Sequence, residues 1–189
     1  MKHLEVIDNF VPPEEWQELQ EVILADDCPW FWNTDITSLD NRTVVSDPVP
    51  GGQFTHTVWR INEGPQTVGW KYFLSLFEQI RLSSPKAHEE VFVLLRAKLN
   101  MNPRESENVQ LGSFHIDFPI ESETAILYIN TNNGYTEFED GTKVESVANR
   151  LCMFPSHMRH AGFACSDQQR RVVLNMNYIR CPKIIQSQY

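Results

Sequence analysis

The sequence predicts an α+β, mainly β fold, namely a double-sheet jelly roll with N-terminal helices packed on one of its sheets. Two observations lead to this prediction. Helical periodicity is confined to the first half of the chain, whereas from Glu90 onward apolar, β-prone runs alternate with turn signals. Five or more such strands in succession are typical of two stacked sheets. We expect one domain over residues 1–189, with helical support over about 1–89 and the jelly-roll core over about 90–180.

The composition is that of a globular, acidic protein, with 41% hydrophobic and 22% charged residues and a formal net charge of −9. This acidic balance argues against a partner bound mainly through phosphates, so we expect no nucleic-acid partner. Four cysteines without a Cys-x-x-Cys pair predict free thiols in a reducing compartment. Because the N-terminus has no apolar signal core and no run approaches about 20 apolar residues, we expect a cytoplasmic protein without a membrane partner.

The first half of the chain contains two predicted helices. The first follows a short strand over residues 4–7 and begins at 12–15, Pro-Pro-Glu-Glu, because proline and acidic residues both suit a first helical turn. The second spans residues 69–82, where apolar residues recur at helical spacing. Residues 28–65 are rich in tryptophan and turn formers, and they either pack against the flank of the core or form a wall or lid on the substrate side. We expect His56, within them, to be structural.

The strands of the second half alternate between two faces. In the strand predicted over residues 91–102 one face is apolar. The other face carries Phe92, Leu94, Arg96, Lys98, Asn100 and Asn102. This second face is either solvated or lines a wet pocket inside the barrel. The last strand, predicted over residues 171–179, also has one polar face, which begins with Arg171. Asn-Gly and Asp-Gly pairs near residues 133 and 140 predict hairpin turns between the strands.

A metal site is predicted from His115 and Asp117. They are two positions apart in an apolar, β-prone run, so in a strand they point to the same face, about 7 Å apart. Two histidines and one carboxylate form the facial triad that leaves coordination positions of Fe(II) open. The third ligand would be His157 or His160, and position in the chain alone leaves both open. No cysteine has ligand spacing to these residues, which argues against a structural zinc site.

An anion site is predicted at Arg171, at the start of the last strand. Its planar guanidinium can hold a carboxylate through two parallel hydrogen bonds. Tyr128, in a preceding strand, would add a hydroxyl donor. The alternatives are that Arg171 forms a surface ion pair and that Tyr128 is a core aromatic residue. Arg170 is expected on the opposite face of the strand.

At these residues the chain resembles the Fe(II)/2-oxoglutarate-dependent dioxygenases, nearest to the prolyl 4-hydroxylase-like branch. The resemblance covers about residues 91–179, with a weaker similarity over 6–11. It rests on His115-x-Asp117, the strand 127–130, Gly134-x-Thr136-x-Phe138, Asp140-Gly141, residues 149–151, Phe154-Pro155-Ser156, and Arg171 with Asn177 six residues later. The family's distal histidine lies four residues after the serine, which selects His160. The gap from that histidine to the arginine is longer than usual, which keeps Arg170 as an alternative to Arg171.

The resemblance implies a double-stranded β-helix (jelly roll, cupin-like) core, with His115, Asp117 and His160 as metal ligands and Arg171 and Tyr128 as cofactor-binding residues. The implied cofactor is Fe(II), with 2-oxoglutarate and O2 as co-substrates and ascorbate as a candidate reductant. The implied reaction is hydroxylation of a protein or peptide residue, with proline as a candidate, and release of succinate and CO2. A nucleobase-demethylating or small-molecule oxygenase and a non-catalytic jelly-roll binding module are the alternatives. The sequence identifies neither the substrate-binding residues nor the oligomeric state.

Overall fold

The computed structural model describes residues 4–34 and 52–183, which contain two α-helices and twelve strands. The helices are α1 (Pro13–Leu24) and α2 (Lys71–Leu82), the latter preceded by a 3-10 turn at Val68–Trp70. The strands are β1 (Glu5–Ile7), β2 (Phe31–Asn33), β3 (Gln53–Arg60), β4 (Gly64–Pro65), β5 (Glu90–Pro103), β6 (Gln110–His115), β7 (Glu123–Tyr128), β8 (Tyr135–Phe138), β9 (Lys143–Glu145), β10 (Arg150–Pro155), β11 (His160–Phe163) and β12 (Arg170–Pro182).

The described strands form two antiparallel sheets. The larger sheet has the order β1-β10-β7-β12-β5-β3-β2, with β4 paired to β3, and the smaller sheet has the order β6-β11-β8-β9. From β5 onward the chain passes repeatedly between the sheets, because β5, β7, β10 and β12 belong to the larger one and the strands between them to the smaller one. This winding is that of a jelly roll, and it confirms the fold class predicted from the sequence.

The N-terminal stretch is more than helical support. It supplies β1 to one side of the larger sheet and β2, β3 and β4 to the other. β3 pairs with β5 and places Thr57 directly opposite Lys98. Without β3, the backbone groups along one edge of β5 would have no partner strand, so this addition satisfies them. The single-domain assignment stays a prediction. Of the turn-forming run at residues 48–52, residues 48–51 lie outside the described residues.

Both predicted helices are present and cover the outer face of the larger sheet. α1 begins with Pro13 and carries two glutamates in its first turn, as the sequence predicts. Its buried face contributes Leu19 and Ile23. The buried face of α2 consists of Phe73, Leu76, Phe77 and Ile80. These side chains join a core cluster with the outward-facing apolar residues of the sheet, which include Leu99, Leu127, Leu151, Leu174 and Met176.

A second, smaller apolar cluster lies between the two sheets. It consists of Ile126, Tyr128, Phe138, Val144, Cys152, Phe154 and Val173. Alternation along β7 explains the division, because Leu127 packs under the helices whereas Ile126 and Tyr128 point between the sheets. This inner cluster fills only part of the space between the sheets, and the rest is the polar cavity described below.

One expectation about β5 is wrong. The pairing of β12 with β5 shifts after Asn177, which is opposite Arg96, so that Tyr178 is opposite Leu94. The extra residue is a β-bulge, and a bulge moves the residues before it to the other face. Phe92 and Leu94 therefore pack against the cluster under the helices instead of sharing a face with Arg96. Strict alternation in the sequence cannot show this shift.

The four cysteines are free thiols, as predicted. Among the described residues, neither helix is long and apolar enough to cross a membrane.

Candidate functional site

The structure brings His115, Asp117 and His160 together. His115 ends β6 and His160 begins β11, and the two residues are direct partners across the smaller sheet. Asp117 lies two residues beyond the end of β6. Its Oδ1 atom is 3.9 Å from His115 Nε2, and its Oδ2 atom is 3.8 Å from His160 Nε2. One ligand atom from each residue lies within 4.8 Å of the others, so the three can hold one metal ion.

Hydrogen bonds orient both imidazoles toward the carboxylate. The Nδ1 atoms of His115 and His160 each lie 3.0 Å from a backbone oxygen, of Ser113 and Met158 respectively. A carbonyl oxygen can only accept, so each Nδ1 carries a hydrogen, and in the neutral imidazole Nε2 is then the atom with a free lone pair. This is the tautomer that a metal-binding histidine needs. Burial and the neighbouring His160 lower the pKa of His115, which favours its neutral form.

Asp117 is held in its ionised form by its surroundings. Its Oδ2 atom accepts hydrogen bonds from Thr124 Oγ1 at 2.9 Å, Asn175 Nδ2 at 3.1 Å and Asn177 Nδ2 at 3.2 Å. Arg96 Nη2 lies 3.8 Å from the other oxygen, Oδ1. Burial by itself would raise the pKa of Asp117, but the two imidazoles in their protonated form, the Arg96 guanidinium and the Asn175 amide outweigh it and hold the pKa well below its usual range.

The other two candidates from the sequence lie elsewhere. His157 is exposed in the turn before β11, and it does not belong to the cluster of possible metal ligands found among the described residues. Arg170 points away from the space between the sheets. Its Nη2 atom donates a 2.8 Å hydrogen bond to the backbone oxygen of Leu24, at the end of α1. The geometry therefore favours His160 over His157 and Arg171 over Arg170.

Arg171 is buried between the sheets and held by two hydroxyls. Its Nε atom donates to Ser146 Oγ at 2.9 Å, and its Nη2 atom donates to Thr136 Oγ1 at 3.1 Å. Burial lowers the pKa of Arg171, although a guanidinium keeps its charge. Gly134 makes room for this side chain, since a Cβ atom there would lie 2.8 Å from Arg171 Cδ.

Tyr128 does not line the cavity itself but contacts Thr136, which does. Its hydroxyl donates a 2.8 Å hydrogen bond to Thr136 Oγ1, the same oxygen that accepts from Arg171. Thr136 and Arg171 line the cavity, whereas Tyr128 is fully buried in the inner apolar cluster. The guanidinium carbon of Arg171 lies 5.6 Å from the centre of the Tyr128 ring, which adds a cation–π contact.

A cavity of about 420 Å³ lies between the sheets and joins the three-residue cluster to Arg171. Its wall includes Arg96, Lys98, Asn100 and Asn102, so the polar face of β5 lines a pocket and is not simply a solvated surface. β3 adds Thr55 and Thr57 to the same wall. His56, between them, is buried on the other face of β3, where we predict a structural role.

The cavity wall holds polar atoms that find no hydrogen-bond partner among the described residues. They are Asn100 Oδ1, Asn102 Nδ2 and Asn175 Oδ1. Unpartnered buried polar atoms are costly and uncommon in folded proteins, so their concentration at one cavity makes it the candidate ligand site.

Lys98 is the least compensated charge in this wall. Burial, and then the nearby Arg96, lower its pKa from 10.5 to about 8, although Asp117 opposes this shift. Its amino group makes no hydrogen bond or ion pair with any residue that the structure describes.

No family model and no curated protein matches this sequence. Solved structures match over nearly the whole chain. The viral collagen prolyl hydroxylase of Paramecium bursaria Chlorella virus-1, in complex with 2OG, is 13% identical, with a TM-score of 0.58 over 96% of this chain and 97% of that one. The α-ketoglutarate-dependent epimerase SnoN of nogalamycin biosynthesis is 12% identical, with a TM-score of 0.64 over 93% and 77%. A prolyl hydroxylase from Trichoplax adhaerens, in complex with a hypoxia-inducible factor peptide fragment, is 15% identical, with a TM-score of 0.59 over 93% and 83%.

The chain has the fold of the Fe(II)/2-oxoglutarate oxygenases. Within this oxygenase fold, sequence reasoning identified the residues that converge on the cavity but missed those that hold them. Thr136 and Ser146 fix Arg171, and Thr124 and Asn175 fix Asp117. Alternation along β12 placed Asn175 on the same face as Arg171, so it could have been included. Thr136 entered the sequence analysis only as part of the Gly134-x-Thr136-x-Phe138 motif, without a role. Thr124 and Ser146 carry no signal of their own, because the residues they hold are remote in the chain.

Proposed function

We propose that this protein is an Fe(II)- and 2-oxoglutarate-dependent dioxygenase that hydroxylates a residue of a protein or peptide, with proline as a candidate residue. The observation that carries the proposal is that a two-histidine, one-carboxylate cluster and a buried arginine line one cavity. Either feature alone is common in folded proteins. Their combination in an oxygenase fold matches the needs of a metal ion and an acidic co-substrate bound side by side.

The donor set fits Fe(II). As neutral imidazoles His115 and His160 offer Nε2 lone pairs, and Asp117 offers a carboxylate, so the set would supply two neutral nitrogen donors and one anionic oxygen donor. Imidazole and carboxylate ligands with open positions suit non-haem Fe(II), and no thiolate of the described cysteines belongs to the cluster. Arg171 would bind the far carboxylate of 2-oxoglutarate, with Thr136 and Tyr128 as positioning residues.

The proposed reaction balances with O2 as the oxidant. One oxygen atom of O2 enters the substrate as a hydroxyl group, and the other enters succinate when 2-oxoglutarate loses CO2. Bound iron would supply the O2 chemistry, while the chain supplies binding, orientation and exclusion of water. Asp117 keeps its charge because Thr124, Asn175 and Asn177 donate to it, and the two backbone carbonyls keep both imidazoles oriented.

The choice of a protein or peptide substrate is supported by similarity and by size. The resemblance to the prolyl 4-hydroxylase-like branch favours it, and a prolyl hydroxylase of the same fold has been solved with a peptide fragment. A cavity of about 420 Å³ has room for a co-substrate and one side chain, but not for a folded domain. A protein substrate would therefore enter as an exposed segment.

Three measurements test the proposal. The protein with Fe(II), 2-oxoglutarate and O2 should release succinate, and a peptide library should yield products heavier by 16 Da only when 2-oxoglutarate is present. Both signals should disappear in His115→Ala. Anaerobic Fe(II) and 2-oxoglutarate should also give a weak visible charge-transfer band in the wild type. A protein that gives neither the band nor succinate is not a 2-oxoglutarate oxygenase, and succinate without a modified peptide would refute the peptide substrate.

A further inference from the structure

We propose that Lys98, with Arg96 beside it, binds an acidic group of the substrate, so that the substrate carries a carboxylate close to the carbon that is hydroxylated. This inference rests on the proposed function, because it concerns what enters the same cavity. It starts from an imbalance of charge. Among the residues that the structure describes, the cavity wall contains Arg60, Arg96, Lys98 and Arg171 but a single carboxylate, that of Asp117, in a protein whose formal net charge is −9.

The excess of positive charge in the cavity wall persists when the charges of the metal and the co-substrate are included. An Fe(II) ion, the Asp117 carboxylate, dianionic 2-oxoglutarate and Arg171 together carry no net charge. Arg60 has a partner of its own, since its Nη1 atom lies 3.3 Å from Glu63 Oε1. Among the described residues of the wall, the positive charges beyond this balance are those of Lys98, which has no partner there, and Arg96, which lies 3.8 Å from Asp117 Oδ1. A buried charge without a partner is unfavourable, so an anionic ligand would relieve the cost.

Strand pairing places Lys98 beside the metal cluster and far from the predicted co-substrate carboxylate site. Lys98 lies opposite Asn175, whose side chain donates to Asp117. Arg171 lies opposite Asn102, four residues away along both strands, which is about 13 Å at the usual rise per residue. Lys98 therefore belongs to the part of the cavity next to the reacting centre.

The neighbours of Lys98 provide the rest of a polar binding site. Arg96 occupies the next position on the same face of β5, and its guanidinium lies 3.8 Å from Asp117 Oδ1 and donates to Asn177 at 3.1 Å. Thr57 lies opposite Lys98 on β3 and lines the same wall. Asn100 Oδ1, two residues along β5, has no partner among the described residues. Two cations, a hydroxyl and an amide suit a carboxylate whose neighbouring atoms include a hydrogen-bond donor.

The first experiment compares acids with their amides. Two peptide libraries differ only in that each member carries Asp in one and Asn in the other, and a panel of four- to six-carbon carboxylic acids is paired with the corresponding amides. Products heavier by 16 Da are expected only from acids. The peptide arm and the small-acid arm distinguish the source of the carboxylate. Equal modification of acids and amides would overturn the inference.

The second experiment does not depend on turnover. The full-length protein is loaded with Mn(II) and 2-oxoglutarate, and the labelling of Lys98 by an amine-reactive reagent is followed by mass spectrometry. Acids, but not amides, should slow this labelling. Labelling of the exposed Lys86 provides the internal reference. If neither panel protects Lys98, the inference fails even if the protein forms succinate, and if acids protect Lys98 in a protein that forms no succinate, only the proposed function fails.

Three variants test whether Lys98 binds the substrate acid and not 2-oxoglutarate. Lys98→Met should weaken acid binding by about 10- to 100-fold, the range expected for loss of a charge-assisted hydrogen bond. Lys98→Arg should restore most of it, and Lys86→Met should have no effect. The Kd of 2-oxoglutarate should change by less than about twofold in Lys98→Met. A parallel loss of 2-oxoglutarate affinity would assign Lys98 to the co-substrate and overturn the inference.

Discussion

His115 and His160 are direct partners across the smaller sheet, and the centres of their rings are 4.8 Å apart. They come from β6 and β11, and β7, β8, β9 and β10 lie between these two strands in the chain. The pairing of β6 with β11 therefore determines whether a metal site exists, because it brings His160 to the carboxylate that His115 already adjoins in the chain.

The first prediction concerns this pair. His160→Ala should abolish Fe(II) binding, with a loss larger than the roughly 10- to 100-fold that removal of an outer partner causes. His157→Ala is the matched control, because His157 is exposed and outside the cluster. The metal content of each variant, measured after anaerobic Fe(II) reconstitution and gel filtration, compares their Fe(II) binding. Metal lost in His157→Ala but kept in His160→Ala would reverse the assignment.

The second prediction separates the two neighbouring arginines. Arg171→Gln should raise KM for 2-oxoglutarate by about 10- to 100-fold, because a charge-assisted pair contributes about 1.5–3 kcal/mol. Arg170→Gln should leave KM unchanged and instead lower the free energy of unfolding by about 1 kcal/mol, since it removes a hydrogen bond to the Leu24 backbone oxygen. Uncoupled succinate formation gives KM, and urea unfolding gives stability. The opposite pattern would assign the co-substrate to Arg170.

The third prediction concerns the space beside Arg171. In Gly134→Ala the new Cβ atom would lie 2.7 Å from the Phe163 backbone oxygen and 2.8 Å from Arg171 Cδ. We expect a loss of about 1–3 kcal/mol in stability and a weaker affinity for 2-oxoglutarate, because Arg171 must move. Gly162→Ala is the control, since its Cβ atom would lie 3.5 Å from Arg171 Nη1, an ordinary contact. Thermal unfolding and calorimetric titration of the Mn(II) protein measure the two effects, and equal stability of both variants would contradict the prediction.

The fourth prediction is a pH dependence of stability caused by Lys98. Its pKa is lowered from 10.5 to about 8, so between these values the unfolded chain binds more protons than the folded protein. Stability contributed by this group therefore rises as the pH increases from about 8 to 10.5, and below pH 8 the full cost of the buried charge is present.

Lys98→Met removes that cost, by a few kcal/mol at most. Its advantage over the wild type in free energy of unfolding should be largest below pH 8 and should shrink as the pH approaches 10.5. Urea unfolding of the metal-free protein across this range measures the difference. An advantage that is constant with pH would show that packing, and not charge, causes it.

The sequence by itself determined the periodic features of this protein. Spacing placed His115 and Asp117 on one face, alternation placed Arg171 and Asn175 on another, and the amphipathic helices were recognised from their apolar stripes. These patterns depend only on local backbone geometry, which repeats every 2 residues in a strand and every 3.6 in a helix. The choice of His160 over His157 came from family resemblance, because both positions have the same local chemistry.

Only the tertiary structure decided which residues hold the metal-ligand cluster and Arg171 in place. The bulge in β5 moved Phe92 and Leu94 to the helix-covered face, and the pairing of β3 with β5 turned the polar face that carries Lys98 into a cavity wall. Thr136, in β8, and Ser146, directly after β9, reach Arg171 only because the smaller sheet packs against the larger one that contains β12. Register and sheet stacking bring together residues that are remote in the chain, and a one-residue shift reverses the face that a side chain occupies, so no local pattern can specify them.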